Sequence, residues 1–179
     1  MILKVNELSV LMHLLSNKKG LCQIGATKKE IFQLLNIKDK NKNIYFQNLL
    51  INLSKYLEPV GLQVRFNPID SRWFISYDLE LSGALSVNPF NDKPKLAATL
   101  FTCLVCCLQN NGIGELSEIK TLRNKKDILT DLKELEEMGF IQINKDQGFV
   151  RLTPLIGYQL DLEHLFVKLA LKLKDKKDD

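Results

Sequence analysis

The sequence lacks a long apolar run, and no stretch of its 179 residues reaches the roughly 18 apolar positions that a membrane-spanning helix needs. The best candidate for a secretory leader, LSVLMHLL, follows Lys4 and Glu7 and has no small-residue cleavage site after it. We therefore expect this stretch to be a helix of the mature fold. The expected location is the cytoplasm, and no membrane partner is expected.

Motifs of enzyme active sites are also missing. The chain has no G-x-S-x-G, no glycine loop for phosphate and no H-E-x-x-H. Its two histidines, His13 and His164, stand apart in helical stretches, whereas a zinc site needs several cysteine or histidine ligands close together. The sequence thus predicts no catalytic residue, no cofactor and no metal, and the chain is not expected to be an enzyme.

Cysteine is scarce, with 4 residues in the chain. Three of them, Cys103, Cys106 and Cys107, lie in the apolar stretch LAATLFTCLVCCLQN rather than at a strand-to-helix turn, where redox pairs gain a lowered pKa. This setting predicts buried, reduced thiols without zinc. The single tryptophan, Trp73, lies in a β-rich stretch, where packing in the core or at a domain interface explains it better than stacking on a base.

A pattern of helices followed by a hairpin occurs twice in the chain. The first copy, residues 1–85, contains a helix with apolar residues at helical spacing and a short helix capped by Thr27 and Glu30. A third helix, stopped by Pro59 and Gly61, precedes the β-rich segments LQVRFN and RWFISYD. The apolar positions predicted to face inward are Leu8, Leu11, Met12, Leu15, Ile31, Leu34, Leu35, Ile44, Leu49, Leu50, Leu53 and Leu57. Three helices and a hairpin are the parts of a winged helix.

The second copy, residues 93–158, follows a proline-containing linker at 86–92. Helices are predicted at Leu96–Gln109, in GELSEIKTL and after a cap at Asn124. Gly139 ends the third helix, and the strands FIQIN and FVRLT then form a hairpin around KDQG. The inward positions predicted for the third helix are Ile128, Leu129, Leu132, Leu135 and Met138.

A C-terminal helix and charged tail, residues 159–179, complete the expected fold, which is mostly α with small antiparallel β-hairpins (α+β) in tandem winged-helix domains. The segment YQLDLEHLFVKLALKLK has a wide apolar face. This face either packs back onto the second copy or receives a partner segment or a second copy of the chain. The predicted partner-binding residues are Leu162, Leu165, Phe166 and Leu169.

Excess positive charge is confined to the first copy. Residues 1–85 carry 11 Lys and Arg against 7 Asp and Glu, residues 86–179 carry 14 of each, and the net charge is +4. Five lysines cluster around the second and third helices, where helix-turn-helix proteins meet DNA. They form either a nonspecific phosphate contact or a solvated link, and the sequence leaves both open. The predicted DNA-binding residues are Lys28, Lys29, Lys38, Lys40 and Lys42.

The third helix of the second copy has a different charge pattern. It is preceded by Arg123, Lys125 and Lys126, but five carboxylates follow and are expected on one exposed surface, where they would repel a DNA duplex. They are Asp127, Asp131, Glu134, Glu136 and Glu137. Protein recognition is therefore predicted for this copy, with Lys145 in the wing as a remaining candidate phosphate contact.

The arrangement resembles a known family. A long third helix that runs into a G-L-x-V…W-F-I hairpin, followed by LSEIKTLRNKKDILTDLKELEEMGFI in the second copy, is similar to segregation and condensation protein B (ScpB) and the wider kite group. The resemblance covers roughly residues 5–160. It implies a non-enzymatic, nucleoid-associated subunit that forms a homodimer through its first winged helix. Such a subunit binds a kleisin, regulates an SMC ATPase complex for chromosome segregation and condensation, and contacts DNA weakly and without sequence preference.

Two other functions fit the same elements. A tandem winged-helix transcription regulator would bind DNA directly and prefer its own site over random DNA by about 4 kcal/mol or more. An adaptor of another complex built from winged helices would bind only protein. A kite-like subunit differs from the regulator by requiring a kleisin and by binding DNA weakly and salt-sensitively.

Overall fold

The computed structural model describes residues 5–20, 23–37, 41–78, 90, 92–124, 127–160 and 162. The chain divides into two compact units, Met1–Ala97 and Ala98–Asp179. Within these described residues, no helix has both the length and the apolar character needed to cross a membrane.

Among its described residues, the first unit contains three α-helices, a short 3-10 helix at Glu58–Val60 and a three-stranded antiparallel sheet. In chain order its elements are α1 (Val5–Ser16), β1 (Ala26–Thr27), α2 (Lys28–Leu34), α3 (Lys42–Leu57), β2 (Leu62–Asn67) and β3 (Arg72–Tyr77). Strand β3 lies in the middle, pairing with β1 at Ala26↔Trp73 and with β2 along its whole length. This order of helices and strands is a winged helix, with the β2–β3 hairpin as its wing.

The following elements repeat the same order. They are α4 (Pro94–Gln109), β4 (Ile113–Glu115), α5 (Leu116–Arg123), α6 (Ile128–Glu137), β5 (Ile141–Asn144), β6 (Phe149–Leu152) and α7 (Pro154–Gln159). Strand β6 lies between β4 and β5, as β3 lies between β1 and β2. The predicted fold class is confirmed: the chain is mostly helical, with two small antiparallel sheets in tandem winged helices.

The core of the first unit lies between α1, α3 and one face of the wing. Its buried residues are Leu11, Leu14, Leu15, Ala26, Ile31, Phe46, Leu49, Leu50, Leu53 and Leu57. Trp73 packs against this core, with its ring edge-on to that of Phe46 at a centroid separation of 5.7 Å. The prediction of a packing role for Trp73 is confirmed.

Four apolar residues predicted to face inward lie on the surface instead. Leu34 and Ile44 are 62% and 60% exposed, and Met12 and Leu129 are about half exposed. On α3 the buried stripe begins at Phe46, and a residue two positions earlier is turned by about 200° to the opposite side of the helix. Ile44 was predicted to face the core because it is apolar. Its angle around the helix axis, and not its hydrophobicity, decides its burial.

The start of α6 also differs from its prediction. Asn124 does not cap this helix; it ends α5 in the left-handed conformation, with φ of 46°, and donates its backbone N–H to Lys120 O. Asparagine tolerates this conformation better than most residues, which explains why it ends a helix here. Helix α6 begins at Ile128. The prediction for Gly139 is confirmed, since it follows α6 with φ of 79°.

The second unit buries the three cysteines of α4. Cys103, Cys106 and Cys107 have no exposed surface, so their predicted burial is confirmed. Burial raises the pKa of Cys103 to about 12 and that of Cys107 to about 11, because a thiolate loses its hydration there. The other main core residues are Leu100, Leu104, Ile119, Ile128, Leu132, Leu135, Phe140, Ile141, Val150 and Ile156.

Gly25 lies where the chain enters β1, next to the centre of the sheet. Its φ is 81°, and a Cβ at this position would overlap the backbone carbonyl oxygen of Trp73. Its N–H donates to Asn17 O at 2.8 Å, and its own carbonyl accepts from Arg72 Nη1 at 3.0 Å. The absence of a side chain lets β1 approach β3 closely enough to pair.

Candidate functional site

A capping box holds the start of α2. Thr27 Oγ1 accepts a hydrogen bond from the backbone N–H of Glu30, and the Glu30 carboxylate accepts one from the backbone N–H of Thr27. Lys19 Nζ and Arg72 Nη1 also contact this carboxylate, at 2.8 Å and 3.0 Å. The hydrogen bond from Lys19, together with those from Thr27 and the charge of Arg72, lowers the pKa of Glu30 to about 2. The predicted cap is confirmed, and its carboxylate stays ionised.

The exposed side of α2 and the start of α3 form a cleft of about 770 Å³, which we call the lysine groove. Three predicted DNA-binding residues, Lys28, Lys29 and Lys42, are exposed and line it together. The other residues of its lining are Phe32, Gln33, Asn36, Ile37 and Asn43. Lys38 and Lys40, also predicted to bind DNA, lie outside the described residues. The fold therefore brings together lysines from two successive helices.

Aromatic rings support two of the ammonium groups. Lys28 Nζ lies 5.2 Å from the ring centroid of Phe46 and 5.7 Å from that of Phe32, and Lys42 Nζ lies 5.8 Å from the Phe32 centroid. A cation over an aromatic face is held without being neutralised. Both charges therefore stay available to an anion.

Carboxylates do not cancel the charge of the groove. In the described part of the chain, no carboxylate forms an ion pair with Lys28, Lys29 or Lys42, and the nearby Glu30 is already matched by two other cations. The groove therefore presents positive charge to solvent beside the helix that meets DNA in helix-turn-helix proteins. This arrangement fits a phosphate backbone.

The solvent side of α3 was not identified from the sequence. Asn43, Gln47 and Asn48 are exposed there. Helix α3 also contains no Asp or Glu, whereas α6, its counterpart in the second unit, contains four. Separate counts of amide and acidic residues on α3 and on α6 reveal this difference from the sequence. The net charge of each copy does not.

The acidic surface predicted on α6 is smaller than expected. Asp131 is buried, and its Oδ2 accepts a 2.7 Å hydrogen bond from Thr99 Oγ1. Glu136 is half-buried, and its carboxylate accepts the backbone N–H of Ile143 at 2.8 Å. Asp131 lies inside because its position falls within the apolar stripe of the helix. Asp127 and Glu137 are exposed.

Residues near α6 add apolar surface to these carboxylates. Leu122, on α5, and Leu129, on α6, are 58% and 49% exposed. Arg123 is half-buried, and its Nε donates to Thr99 Oγ1 at 3.1 Å, so it does not extend into solvent as a recognition residue would. Lys125 and Lys126 lie outside the described residues. Leucine and carboxylate side chains are thus both exposed on or next to α5 and α6.

The wing of the second unit borders a cleft of about 680 Å³ with mixed charge. Lys145 and Arg151 line it together with Glu136 and Asp146. The two positive and two negative side chains largely offset each other. This cleft therefore carries much less net positive charge than the lysine groove. Its proposed phosphate contact stays a prediction.

The C-terminal face predicted to bind a partner lies mostly outside the described residues. Leu162 is described and is 4% exposed. Leu165, Phe166 and Leu169 are not described. Their role stays a prediction. Among the described residues, no group of His, Cys, Asp and Glu side chains is placed to hold a metal ion.

No protein-family model matches the sequence, and no curated protein is similar to it in sequence. The chain is structurally similar to ScpB from Mycobacterium tuberculosis, with 16% identity, a TM-score of 0.30, and coverage of 92% of this chain and 98% of that one. A conserved hypothetical protein from Chlorobium tepidum has 14% identity and a TM-score of 0.37, with coverage of 89% and 96%.

A chain of the Nse1-Nse3-Nse4 complex is similar as well, with 12% identity and a TM-score of 0.35 over 72% of this chain. The present chain spans only 59% of that one. The similarity to ScpB and to the Nse1-Nse3-Nse4 chain is thus a distant one, at 16% and 12% identity.

Proposed function

We propose that this chain is a non-enzymatic subunit of an SMC–kleisin complex, in which it binds a kleisin and regulates the SMC ATPase in chromosome segregation and condensation. Its first unit contacts DNA weakly, and its second unit recognises protein. We further propose that it works as a homodimer at the nucleoid, in the cytoplasm.

The difference in charge between the two units carries this proposal. Two winged helices of the same topology present equivalent third helices, yet α3 begins beside three uncancelled lysines and α6 ends in exposed acid. Phosphates are attracted to the first surface and repelled by the second. One chain with both surfaces is suited to joining DNA to a protein assembly.

The protein-binding surface proposed for the second unit is made of Leu122, Leu129, Asp127 and Glu137. Exposed leucines supply apolar contact area, and carboxylates at the edge select a partner with basic residues. The C-terminal residues Leu165, Phe166 and Leu169 are proposed to extend this surface, whereas Leu162 is buried and is not part of it. An amphipathic helix of the kleisin is the expected partner segment.

The test is co-purification from the source cell. A tagged full-length chain is expected to recover a kleisin and an SMC ATPase, both identified by mass spectrometry. The double variant Leu129→Lys/Glu137→Lys should recover at least about tenfold less of both, because it removes apolar area and reverses a charge. A matched control, Leu108→Lys/Glu115→Lys, changes the same residue types at other exposed positions of the unit and should bind normally. Recovery of neither protein by the wild type would refute the proposal.

A transcription regulator is the second candidate, and the lysine groove beside a recognition helix favours it. The two functions predict different DNA binding. A regulator prefers its own site by about 4 kcal/mol or more over random DNA and needs no kleisin. The proposed subunit shows weak affinity that falls steeply with salt.

A further inference from the structure

The exposed side of α3 carries side chains suited to reading base pairs. Asn43, Gln47 and Asn48 point away from the core over the first two turns, and Ile44 and Ile51 lie beside them with 60% and 53% exposure. We call these five residues the amide face. Within the described residues, no hydrogen bond engages the side chains of Asn43, Gln47 or Asn48. Their donors and acceptors are therefore available to a ligand.

The composition of this face matches adenine and thymine. An Asn or Gln amide donates to N7 and accepts from the N6 amino group of adenine in the major groove, and an aliphatic side chain contacts the thymine methyl group. Guanine is read mainly by Arg or Lys and cytosine by Asp or Glu, and the amide face contains none of these. The chemistry of the face therefore selects A·T pairs.

The lysine groove lies beside this face. Lys42 is the first residue of α3, and Asn43 both lines the groove and belongs to the amide face. A duplex whose phosphates contact Lys28, Lys29 and Lys42 would thus pass next to the first turns of α3. Phosphate contacts set the position of a helix on DNA, and the amides then meet base edges.

We propose that the amide face reads A·T base pairs in the major groove of duplex DNA, giving the first unit a sequence preference. This inference rests on the DNA contact in the proposed function and assigns its base-reading residues. One bidentate amide contact provides a bias of about tenfold between A·T and G·C sites, which lies in the lower part of the range for a single contact of this kind. Such a bias is well below that of a regulator.

A protein partner fits this face less well. A protein interface of this kind would pair the exposed isoleucines with apolar residues and leave three amides and the adjacent lysines to find polar and acidic partners. Duplex DNA matches all three features at once: anionic phosphates for the lysines, base edges for the amides and thymine methyl groups for the isoleucines. The charge of the groove decides for DNA.

The test uses the full-length chain and a pool of duplexes with a randomised central segment. Selection at low salt should enrich A·T-containing sites, and fluorescence anisotropy should then measure about tenfold tighter binding to an enriched duplex than to a G·C-rich duplex. The variant Gln47→Ala/Asn48→Ala should remove this preference while keeping affinity for the G·C-rich duplex. Alanine favours the helix and both residues are exposed, so this variant should fold.

The matched control is Gln109→Ala/Gln159→Ala, which removes two exposed helical amides from the second unit and should keep the preference. Three results would overturn the inference: no enrichment by the wild type, enrichment that survives in Gln47→Ala/Asn48→Ala, or no binding of the pool at all. Recovery of the kleisin in co-purification is independent of all three. Failure of base reading is thereby distinguished from failure of the proposed function.

Discussion

Thr99 joins Asp131 to Arg123 inside the second unit. Its hydroxyl donates to Asp131 Oδ2 at 2.7 Å and accepts from Arg123 Nε at 3.1 Å. Thr99 is fully buried and Asp131 is nearly so, which leaves little room for water to replace these bonds. One threonine therefore connects charged side chains of α5 and α6 to α4.

Replacing Thr99 by valine should destabilise the protein. The shape of the side chain is kept, but the hydrogen bonds to Asp131 and from Arg123 are lost in a buried site, at a cost of about 1–3 kcal/mol. Urea denaturation of the full chain measures this loss. Thr99→Ser keeps the hydroxyl and should lose less stability than Thr99→Val. Equal stability of Thr99→Val and wild type would contradict the prediction.

Glu30 should make stability depend on acid. Its pKa is lowered from 4.5 to about 2 in the folded chain, so its contribution is present above about pH 4.5 and is lost as the pH falls towards about 2. Glu30→Gln keeps a capping side chain but removes the titration. Between about pH 5 and pH 2 the wild type should lose about 1–2 kcal/mol more stability than this variant, after allowance for solvent screening.

Thermal or urea unfolding at a series of pH values measures this difference. Glu58→Gln changes an exposed glutamate of the same unit and serves as the control. Parallel pH profiles for wild type and Glu30→Gln would show that the contacts with Lys19 and Arg72 do not stabilise the ionised carboxylate.

Reversing the charge of the lysine groove should abolish DNA binding. The variant Lys28→Glu/Lys29→Glu/Lys42→Glu is expected to give no gel shift at low salt, because phosphates then meet three carboxylates. Its thermal midpoint should stay close to that of the wild type, since all three residues are exposed and acidic residues are favourable in the first turn of a helix.

The matched control is Lys55→Glu/Lys120→Glu/Lys133→Glu, which makes the same change in net charge at exposed positions elsewhere. It should reduce binding much less. If both variants lose binding equally, net charge and not the groove is responsible.

The C-terminal face is expected to contact a partner and not to pack onto the core of the second unit. Phe166→Asp/Leu169→Asp is expected to weaken co-purification with the kleisin or to split a dimer in light scattering, because carboxylates do not pack into an apolar contact. Circular dichroism should still show a folded chain. Leu162→Asp, at a buried position, should instead lower stability directly. If the Phe166/Leu169 variant unfolds the second unit, this segment belongs to the core.

Features that depend on neighbouring residues were predictable from the sequence. The Thr27–Glu30 capping box involves residues three apart, and Gly139 ends a helix by its own backbone freedom. The helical stripes of α1, α3 and α6 were also predicted, because apolar periodicity reports a buried face directly. The order of the elements followed from these signals.

Features that depend on distant parts of the chain were not predictable in this way. Strands β1 and β4 have two and three residues, too few for any periodicity, and exist because β3 and β6 supply pairing partners. Asp131 was predicted to lie on the surface because it is charged. It is buried instead, and it accepts a hydrogen bond from Thr99, which lies 32 residues earlier in the chain. The lysines of the groove were predicted together because they are close in sequence. The contacts of their ammonium groups with the rings of Phe32 and Phe46 were not predicted.

Gly25 has a consequence for how this chain can vary. Every other amino acid would place a Cβ against the carbonyl oxygen of Trp73 in a backbone conformation that L-residues rarely adopt. Any missense change in this codon would therefore separate β1 from the wing. The groove lysines are exposed and can be exchanged one at a time without a steric clash, whereas every substitution at position 25 meets the same clash. Purifying selection should act on it more strictly than on the exposed lysines of the groove.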